Sequence, residues 1–421
     1  MSRISHKDTN RLDVAGFTPN LKRRHRVGKF WLGIFRLATL VGIVALATLL
    51  FNIADGAFGY VAIENKVDPG TLAVNGVALE DLSEEELTRI LKENISAGLF
   101  RRLESEKPFS ERSQLDIYNL VMERVVQPRV VQQWSLKDSL LHSAAIKAEA
   151  ARDYPDAKLQ FKSWLNKDFL RNPQSAKAEQ AGVRTAILGS LWTVGIAILF
   201  AFPIGVGGAI YLEEYAGDNA INRIIRTNIN NLAGVPSIIY GILGLAILVR
   251  ALEPLTSGAL FGYTDPTTAN GRTILSAGLT LGLLILPMVI INAQEAIRAV
   301  PNSLRQASFG LGATRWQTVW HHVLPNAMPG ILTGTILAIS RAMGETAPLV
   351  VIGASTFINQ DPNGLFSKFT TLPIQIYQWT SRPQDVFRNI AAAAIIVLVM
   401  LLLSLNATAI ILRNRLSRRL D

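Results

Sequence analysis

The hydrophobic pattern of this 421-residue chain consists of long apolar segments separated by polar ones. Six of the apolar segments have about 18 residues or more, which is the length that a helix needs to cross the hydrocarbon of a membrane. They are Trp31–Ile53, Thr185–Leu212, Leu232–Val249, Ile274–Ile291, Gly330–Ile352 and Ile390–Leu412. The third and fourth are marginal, and either could be a buried or re-entrant helix. The pattern predicts an all-α polytopic membrane protein with about six transmembrane helices, the last five within residues 184–412.

A polar segment, residues 54–183, separates the first span (31–53) from the second. Its central part, Val61 to Gln180, has roughly 120 residues, which is enough for a small soluble domain. No arrangement of residues typical of a binding or catalytic site stands out in it. We therefore expect this insert to be a structural or partner-contacting domain, and ligand sensing is the alternative.

Two helical patterns occur within the insert. Ser83, followed three residues later by Glu86, is typical of a capping box at the start of a helix. A second helical pattern begins at Leu115 and continues to Val131, with Pro128 near its end. The insert is therefore predicted to have a mixed fold that is rich in helix.

Charge is distributed unevenly along the chain, which has 42 Lys and Arg residues against 32 Asp and Glu residues. Residues 61–180 contain 17 basic and 19 acidic residues, so the basic excess lies elsewhere. It is concentrated in a basic N-terminal segment, 1–30, and in a basic tail, 413–421. By the positive-inside rule, both termini lie in the cytoplasm and the insert lies outside. The cytoplasmic loops then contain Arg223, Arg226, Arg298, Arg305 and Arg315.

The composition excludes several classes of function. The chain is 49% hydrophobic and has no cysteine, so disulfides and thiolate metal sites are absent, and its five histidines lack metal-ligand spacing. The sequence has no P-loop motif, and the glycines at Gly310 and Gly312 lack the third glycine of a dinucleotide fingerprint. No basic stripe is interleaved with aromatic residues, so no nucleic-acid partner is expected. We expect a protein that is not an enzyme, needs no cofactor or metal, and draws any energy from a partner.

A polar loop, residues 292–329, connects the fourth and fifth spans. Ser303 is predicted to cap a short helix, and Gly312 to end it by adopting a positive φ. A second helical turn would then place Trp316, Val319 and Trp320 on one side, before Pro325 and Pro329 break the helix. Such a protrusion suits a soluble partner. The alternative is a hairpin that lies on lipid headgroups, with both tryptophans as anchors.

Arg341 and Glu345 lie four residues apart in the fifth apolar segment and can pair on one face of a helix. An arginine in the middle of a bilayer costs about 2.5–3.5 kcal/mol on insertion scales, so we expect it to face the bundle interior or a water path. A guanidinium binds the oxygens of an oxyanion in a bidentate manner. The alternative is a structural ion pair. Prolines such as Pro236 lie within spans, where they mark kinks or unwound segments beside a substrate route.

Two motifs carry a resemblance to a known family. The run Gln306-Ala307-Ser308, then Gly312, then Leu324-Pro325 resembles the E-A-A loop of ABC importer permeases, and Arg341–Pro348 resembles the R-x-x-G-E-T-A-P segment of A-type phosphate importer permeases. The segment Leu232–Gly241 is similar to the same subfamily. The resemblance covers about Arg184 to the C-terminus and implies the ABC type I importer permease fold.

The resemblance also implies roles for single residues. The coupling helix of this family docks into the ATPase, which assigns docking to Gln306, Ala307, Ser308, Gly312, Ala313, Leu324 and Pro325. The substrate path would be lined by Arg341, Glu345, Thr346, Asn292 and Ser237. Three positions depart from the family pattern: Gln306 replaces a glutamate, His322 an apolar residue, and Asn292 an arginine.

The implied partners are a homologous second permease, an ATP-binding cassette ATPase dimer that binds ATP and Mg, a periplasmic phosphate-binding protein and membrane lipid. The expected location is the bacterial inner membrane. A permease for sulfate or molybdate is an alternative within the same class. A membrane sensor with a ligand-binding insert is an alternative from another class, and a C-terminal tail of about ten residues disfavours it.

Overall fold

The computed structural model describes residues 21–74, 76–263, 270–354, 357–358 and 360–417. The chain forms two compact units, Met1–Asn52 and Ile53–Asp421. Helix α1, Leu21–Ala57, supplies every described residue of the first unit and is longer than the predicted span 31–53. Most of the basic segment 1–30 and the last four residues of the tail 413–421 lie outside the described residues.

The insert combines helices with a small sheet. Its strands are β1 (Phe58–Asn65), β2 (Pro128–Gln133) and β3 (Lys158–Ser163). Strand β1 is central and pairs antiparallel with both neighbours. The helices are α2 (Glu84–Asn94), α3 (Ala97–Glu106), α4 (Gln114–Val121), α5 (Leu136–Leu141), α6 (Ser143–Asp153) and α7 (Lys167–Arg171). Leu82, Leu87, Leu91 and Ile117 form its apolar core.

One of the two predicted helices of the insert is confirmed and the other is wrong in its second half. Ser83 caps α2, and the reciprocal bond from its backbone N–H to Glu86 completes the capping box. Helix α4 ends at Val121, a π-helical turn follows, and Gln127 adopts φ 46° before β2 begins. Pro128 restricts the residue before it, so the helix cannot continue into the β-branched residues that follow.

The second unit continues into the apolar helices. They are α8 (Arg184–Ile210), α9 (Ala220–Ala233), α10 (Ser237–Gly244), α11 (Glu253–Thr256), α12 (Ile274–Arg298), α13 (Asn302–Gly310), α14 (Arg315–Thr318), α15 (Leu324–Gly344), α16 (Ala347–Ile352), α17 (Leu372–Thr380) and α18 (Asp385–Ser417). Across the described residues, five helices are long and apolar enough to cross a membrane, and a bent pair makes a sixth candidate.

The bent pair corrects the third predicted span, Leu232–Val249. Helices α9 and α10 meet at 105°, so the segment is not one straight helix. Gly234 ends α9, and Pro236 precedes α10. Proline lacks the backbone N–H that would continue the ladder, and it also disfavours the helical conformation at Val235. The marginal fourth segment, in contrast, lies within the single helix α12.

The fifth predicted span, Gly330–Ile352, is displaced in the structure. Helix α15 ends at Gly344, and Glu345 has an extended backbone (φ −76°, ψ 122°). The predicted helix break at the two prolines is wrong, because Pro325 lies in the first turn of α15 and Pro329 lies inside it. A proline ring clashes with the carbonyl four residues earlier in a regular helix. For Pro325 that carbonyl lies in the π-helical turn Val319–Val323, which has a different geometry.

Helix α12 lies at the centre of the helical bundle and packs against α8 and α15. Its buried residues Leu281, Ile285 and Val289 belong to the main apolar core of the bundle. Small residues allow close approach. A Cβ built on Gly278 would lie 2.6 Å from Ile196 Cβ, and one on Gly334 would lie 2.3 Å from Asn292 Cβ. This close packing is typical of helices in lipid, where the hydrophobic effect does not drive helices together.

Candidate functional site

The connection between α12 and α15 forms a compact protrusion that we call the docking loop (residues 299–323). It is shorter at both ends than the predicted loop 292–329, because α12 continues to Arg298 and α15 begins at Leu324. Ser303 is not the cap of α13, since the N-cap position is occupied by Pro301. Gly312 adopts φ +82°, which confirms the predicted turn after the helix. The docking loop is therefore a helix, a glycine turn and a second helix.

The predicted docking residues divide into three groups by exposure. Gln306 and Ala307 are exposed on α13 and Gly312 is exposed at the turn. Ser308 is buried, and its Oγ lies 2.9 Å from Thr318 Oγ1, so it joins α13 to α14 instead of facing outward. The remaining docking residues are half-buried; they are Ala313, Leu324 and Pro325.

Sequence reasoning missed the apolar side chains that the docking loop exposes. Leu304, Phe309 and Leu311 are all exposed, and Leu311 beside the glycine turn is 90% exposed. The signal that could have identified them is the occurrence of large apolar residues in an otherwise polar loop. Exposed apolar groups of this kind mark contact surfaces when they lie together.

The second helical turn of the docking loop differs from its prediction. Trp316 and Trp320 are both exposed and stack with ring centroids 5.4 Å apart. Val319 is buried and faces away from them, so the three residues do not share one side. The two tryptophans are four residues apart and therefore occupy one helix face. This aromatic face suits a lipid headgroup region as well as a protein partner.

The docking loop is joined to the membrane helices by an ion network that sequence reasoning also missed. Glu213 and Glu214 lie in the π-helical turn Tyr211–Tyr215, directly after α8. Glu214 accepts two hydrogen bonds from the guanidinium of Arg305, at 3.1 and 2.7 Å. Glu213 pairs with Arg226 and Arg298, each at 2.8 Å. The sequence signal that could have indicated this network is the pair of adjacent carboxylates at the end of an apolar span.

The predicted substrate-path residues are brought together only in part. Arg341 Nε lies 3.4 Å from Glu345 Oε1, so the predicted pair is formed. The pair does not lie on one helix, because α15 ends between the two residues. Arg341 is not enclosed by this chain, since its side chain is 38% exposed.

The other path residues lie on neighbouring helices. Thr346 precedes α16, and Ser237 begins α10. These helices pack closely, because a Cβ on Gly241 would lie 2.6 Å from Pro348 Cα. Asn292 instead packs against Gly334, which is seven residues before Arg341 and hence about 10 Å away along the helix. Across the described ranges, no group of three or more His, Asp or Glu side chains could hold a metal ion.

Comparison with known proteins identifies the family. Residues 201–421 match the model of the binding-protein-dependent transport system inner membrane component, so the chain belongs to that family of transport permeases. The match and the helical bundle confirm the predicted all-α polytopic permease fold. The family also supports a multi-pass inner membrane protein. The insert lies outside the matched residues.

Three curated relatives illustrate the similarity. The chain is 32% identical over 243 residues to the probable ABC transporter permease protein YqgI of Bacillus subtilis, covering 55% of this chain and 76% of that protein. It is 34% identical over 240 residues to phosphate transport system permease protein PstA 1 of Mycobacterium tuberculosis, covering 56% and 72%. It is 35% identical over 212 residues to phosphate transport system permease protein PstC of Haemophilus influenzae, covering 46% and 64%.

Proposed function

We propose that this chain is the A-type membrane subunit of an ATP-driven importer of inorganic phosphate. The observation that carries the proposal is the 34% identity to a phosphate transport system permease over 72% of that protein's length. The Arg341–Pro348 segment supports it, because it resembles the corresponding segment of the same subfamily. The chain itself makes or breaks no covalent bond.

The docking loop is the proposed contact with the ATPase dimer, which binds ATP and Mg. Its exposed residues Gln306, Ala307 and Leu311 offer a partly apolar surface. The loop connects α12 and α15 directly, so a displacement of the loop reaches two helices of the bundle. We further propose that both termini are cytoplasmic, that the insert is external, and that a second permease and a phosphate-binding protein complete the complex.

Arg341 is the proposed phosphate contact on the transport path. Its guanidinium can donate two parallel hydrogen bonds to phosphate oxygens, which a single ammonium cannot do in the same geometry. Glu345 is within ion-pair distance and competes with the anion for the same donors. The pair with Glu345 keeps Arg341 oriented in the absence of phosphate. The competition weakens the binding of the anion, so that release is fast.

The second candidate is an importer for sulfate or molybdate, since a guanidinium recognises any tetrahedral oxyanion. The sensor alternative is not supported, because the family is one of transport permeases.

The test is ATP-dependent uptake by the full complex in proteoliposomes with radiolabelled phosphate, with sulfate and molybdate as competitors. Phosphate uptake that excess sulfate and molybdate do not reduce is the expected result. Uptake of sulfate or molybdate without phosphate would reject the proposal, as would purification of the chain without any ATPase.

A further inference from the structure

The contacts of Arg305 form a junction of three helices at the base of the docking loop. Arg305 lies on α13, and its guanidinium donates to Glu214 after α8. It also donates to the backbone carbonyls of Ile297 and Val300, at 2.9 and 2.6 Å, at the C-terminal end of α12. One side chain therefore joins α13 to α8 and α12.

The Arg305–Glu214 ion pair is more buried than the other ion pairs of the described residues. The side chains of Arg305 and Glu214 are only 15% and 10% exposed, respectively. Asp218 and Arg223 lie nearby in sequence and also pair, at 3.3 Å, yet they are 91% and 73% exposed. Exposed pairs contribute little because water and salt screen them, whereas a buried, hydrogen-bonded pair is costly to break.

Glu213 extends the junction to a fourth helix. It accepts hydrogen bonds from Arg226 on α9 and from Gln294 and Arg298 on α12. The side chain of Glu213 is 12% exposed. Arg226 also donates to the carbonyl of Leu212, in the same π-helical turn as Glu213. The two glutamates thus hold α9, α12 and α13 to the end of α8.

Apolar packing alone gives α13 little support. The helix has nine residues, of which Ser308 is the buried one, and it exposes Leu304 and Phe309. A short helix with few buried apolar groups can shift relative to the helices beneath it. A force applied to such a helix would displace the loop before it moved the bundle.

We propose that Glu213 and Glu214 are positioning residues for energy coupling, which clamp the docking loop to α8, α9 and α12. With the clamp formed, a displacement of α13 moves the three membrane helices together. Without it, α13 moves alone and ATP hydrolysis is no longer matched by transport. This inference rests on the proposed function, because it assigns the transmission of motion to the same loop.

The principal experiment measures phosphate imported per ATP hydrolysed by the full complex in proteoliposomes. Glu214→Arg and Arg305→Glu are each expected to lower this ratio about ten-fold, a size typical of residues in direct contact. The double variant carries both changes and restores opposite charges. A carboxylate at position 305 cannot donate to the carbonyls of Ile297 and Val300, so the double variant is expected to recover part of the ratio. Normal ratios in both single variants would overturn the proposal, and so would a double variant as uncoupled as the single ones.

Asp218→Arg is the matched control, because Asp218 is also a carboxylate that pairs with an arginine after α8. Its pair is exposed, so the ratio is expected to stay at the wild-type value. An equal loss in the Asp218 and Glu214 variants would show that any charge reversal here uncouples the complex, which would overturn the clamp.

A second measurement does not depend on the transported solute. Glu214→Gln keeps the shape of the side chain and removes its charge, so it tests the clamp even if the charge reversals fail to fold. Amide hydrogen exchange of α13 in the full-length protein is expected to become at least about five-fold faster. Unchanged exchange in α13 would overturn the clamp. If the wild-type complex imports no phosphate but this exchange does increase, the proposed function fails and the clamp stands.

Discussion

Arg341 and Glu345 pair across the end of a helix, with Arg341 Nε 3.4 Å from Glu345 Oε1. Arg341 lies in the last turn of α15, whereas Glu345 follows the helix and has an extended backbone. An ion pair that spans a helix end can open by a change in the backbone of the connecting residues. This geometry differs from a pair fixed along one helix face, and it suits a gate on a transport path.

Arg341→Ala is expected to abolish ATP-dependent uptake while the complex still assembles, because the guanidinium contact with the anion is lost. Arg341→Lys keeps the charge but not the bidentate geometry, and about ten-fold lower uptake is expected. Uptake in proteoliposomes and co-purification of the ATPase are the two measurements. Arg388→Ala is the control, since Arg388 forms an exposed pair with Asp385 on α18. Normal uptake in the Arg341→Ala variant would remove this residue from the path.

Gly312→Ala is expected to weaken ATPase docking, because an alanine at φ +82° is strained by about 1–2 kcal/mol. The effect is conformational, since a Cβ at Gly312 would meet no atom within 4 Å. Gly310→Ala is the matched control. It lies two residues earlier, in α13, and its Cβ would also meet no atom within 4 Å. Affinity for the purified ATPase is the measurement, and equal affinities of the two variants would contradict the role of the turn.

Gly334→Ala is expected to destabilise the packing of α15 on α12 by about 1–3 kcal/mol, as overpacking does in other cores. The added Cβ would lie 2.3 Å from Asn292 Cβ, so one of the helices must shift. Gly207→Ala is the control, because its Cβ would meet no atom within 4 Å. Thermal unfolding of the purified protein in detergent measures the difference. A Gly334→Ala variant as stable as Gly207→Ala would show that the close approach of α12 and α15 is not needed.

The capping box of α2 predicts a pH dependence in the insert. The backbone N–H and hydroxyl of Ser83 donate to the Glu86 carboxylate and hold its pKa below its usual range. A lowered pKa means that the ionised Glu86 stabilises the fold at pH values above its ordinary pKa of 4.5. This stabilisation is lost as the pH falls through the lowered pKa. Protection of the α2 amides should therefore decrease at acidic pH.

Ser83→Ala tests the same cap. It is expected to cost about 1 kcal/mol, which corresponds to roughly five-fold faster amide exchange in α2 at neutral pH. The difference from wild type should shrink below the ordinary glutamate pKa, because protonation of Glu86 then weakens the bonds that Ser83 donates to its carboxylate. Thr88→Ala, within the same helix, is the control and should leave the amides protected. A difference between Ser83→Ala and wild type that does not change with pH would contradict the role of the Glu86 carboxylate.

Local signals in the sequence were sufficient to predict some features of the structure. The capping box at Ser83 and the turn at Gly312 were predicted correctly, because both depend on the conformational preferences of a few adjacent residues. The pairing of Arg341 with Glu345 was also predicted. The helix end between them was not predicted, since the hydrophobic pattern continues through Gly344 into α16.

The prolines show where local rules fail. Pro236 bends the third span, as proline rules allow, but Pro325 and Pro329 were expected to break a helix that they do not break. The outcome depends on the turn that precedes each proline. A π-helical turn before Pro325 changes the position of the carbonyl that its ring would otherwise meet.

The sequence by itself determined the approximate positions of the apolar segments, the family and the approximate position of the docking loop, because hydrophobic length and short motifs are local properties. Only the tertiary structure showed that Glu214 meets Arg305, which is 91 residues away in the chain. It also showed that Ser308 faces inward and that Leu311 faces outward. Which polar groups pair, and which side chains remain exposed, depends on how helices distant in sequence pack together, and no local pattern encodes that packing.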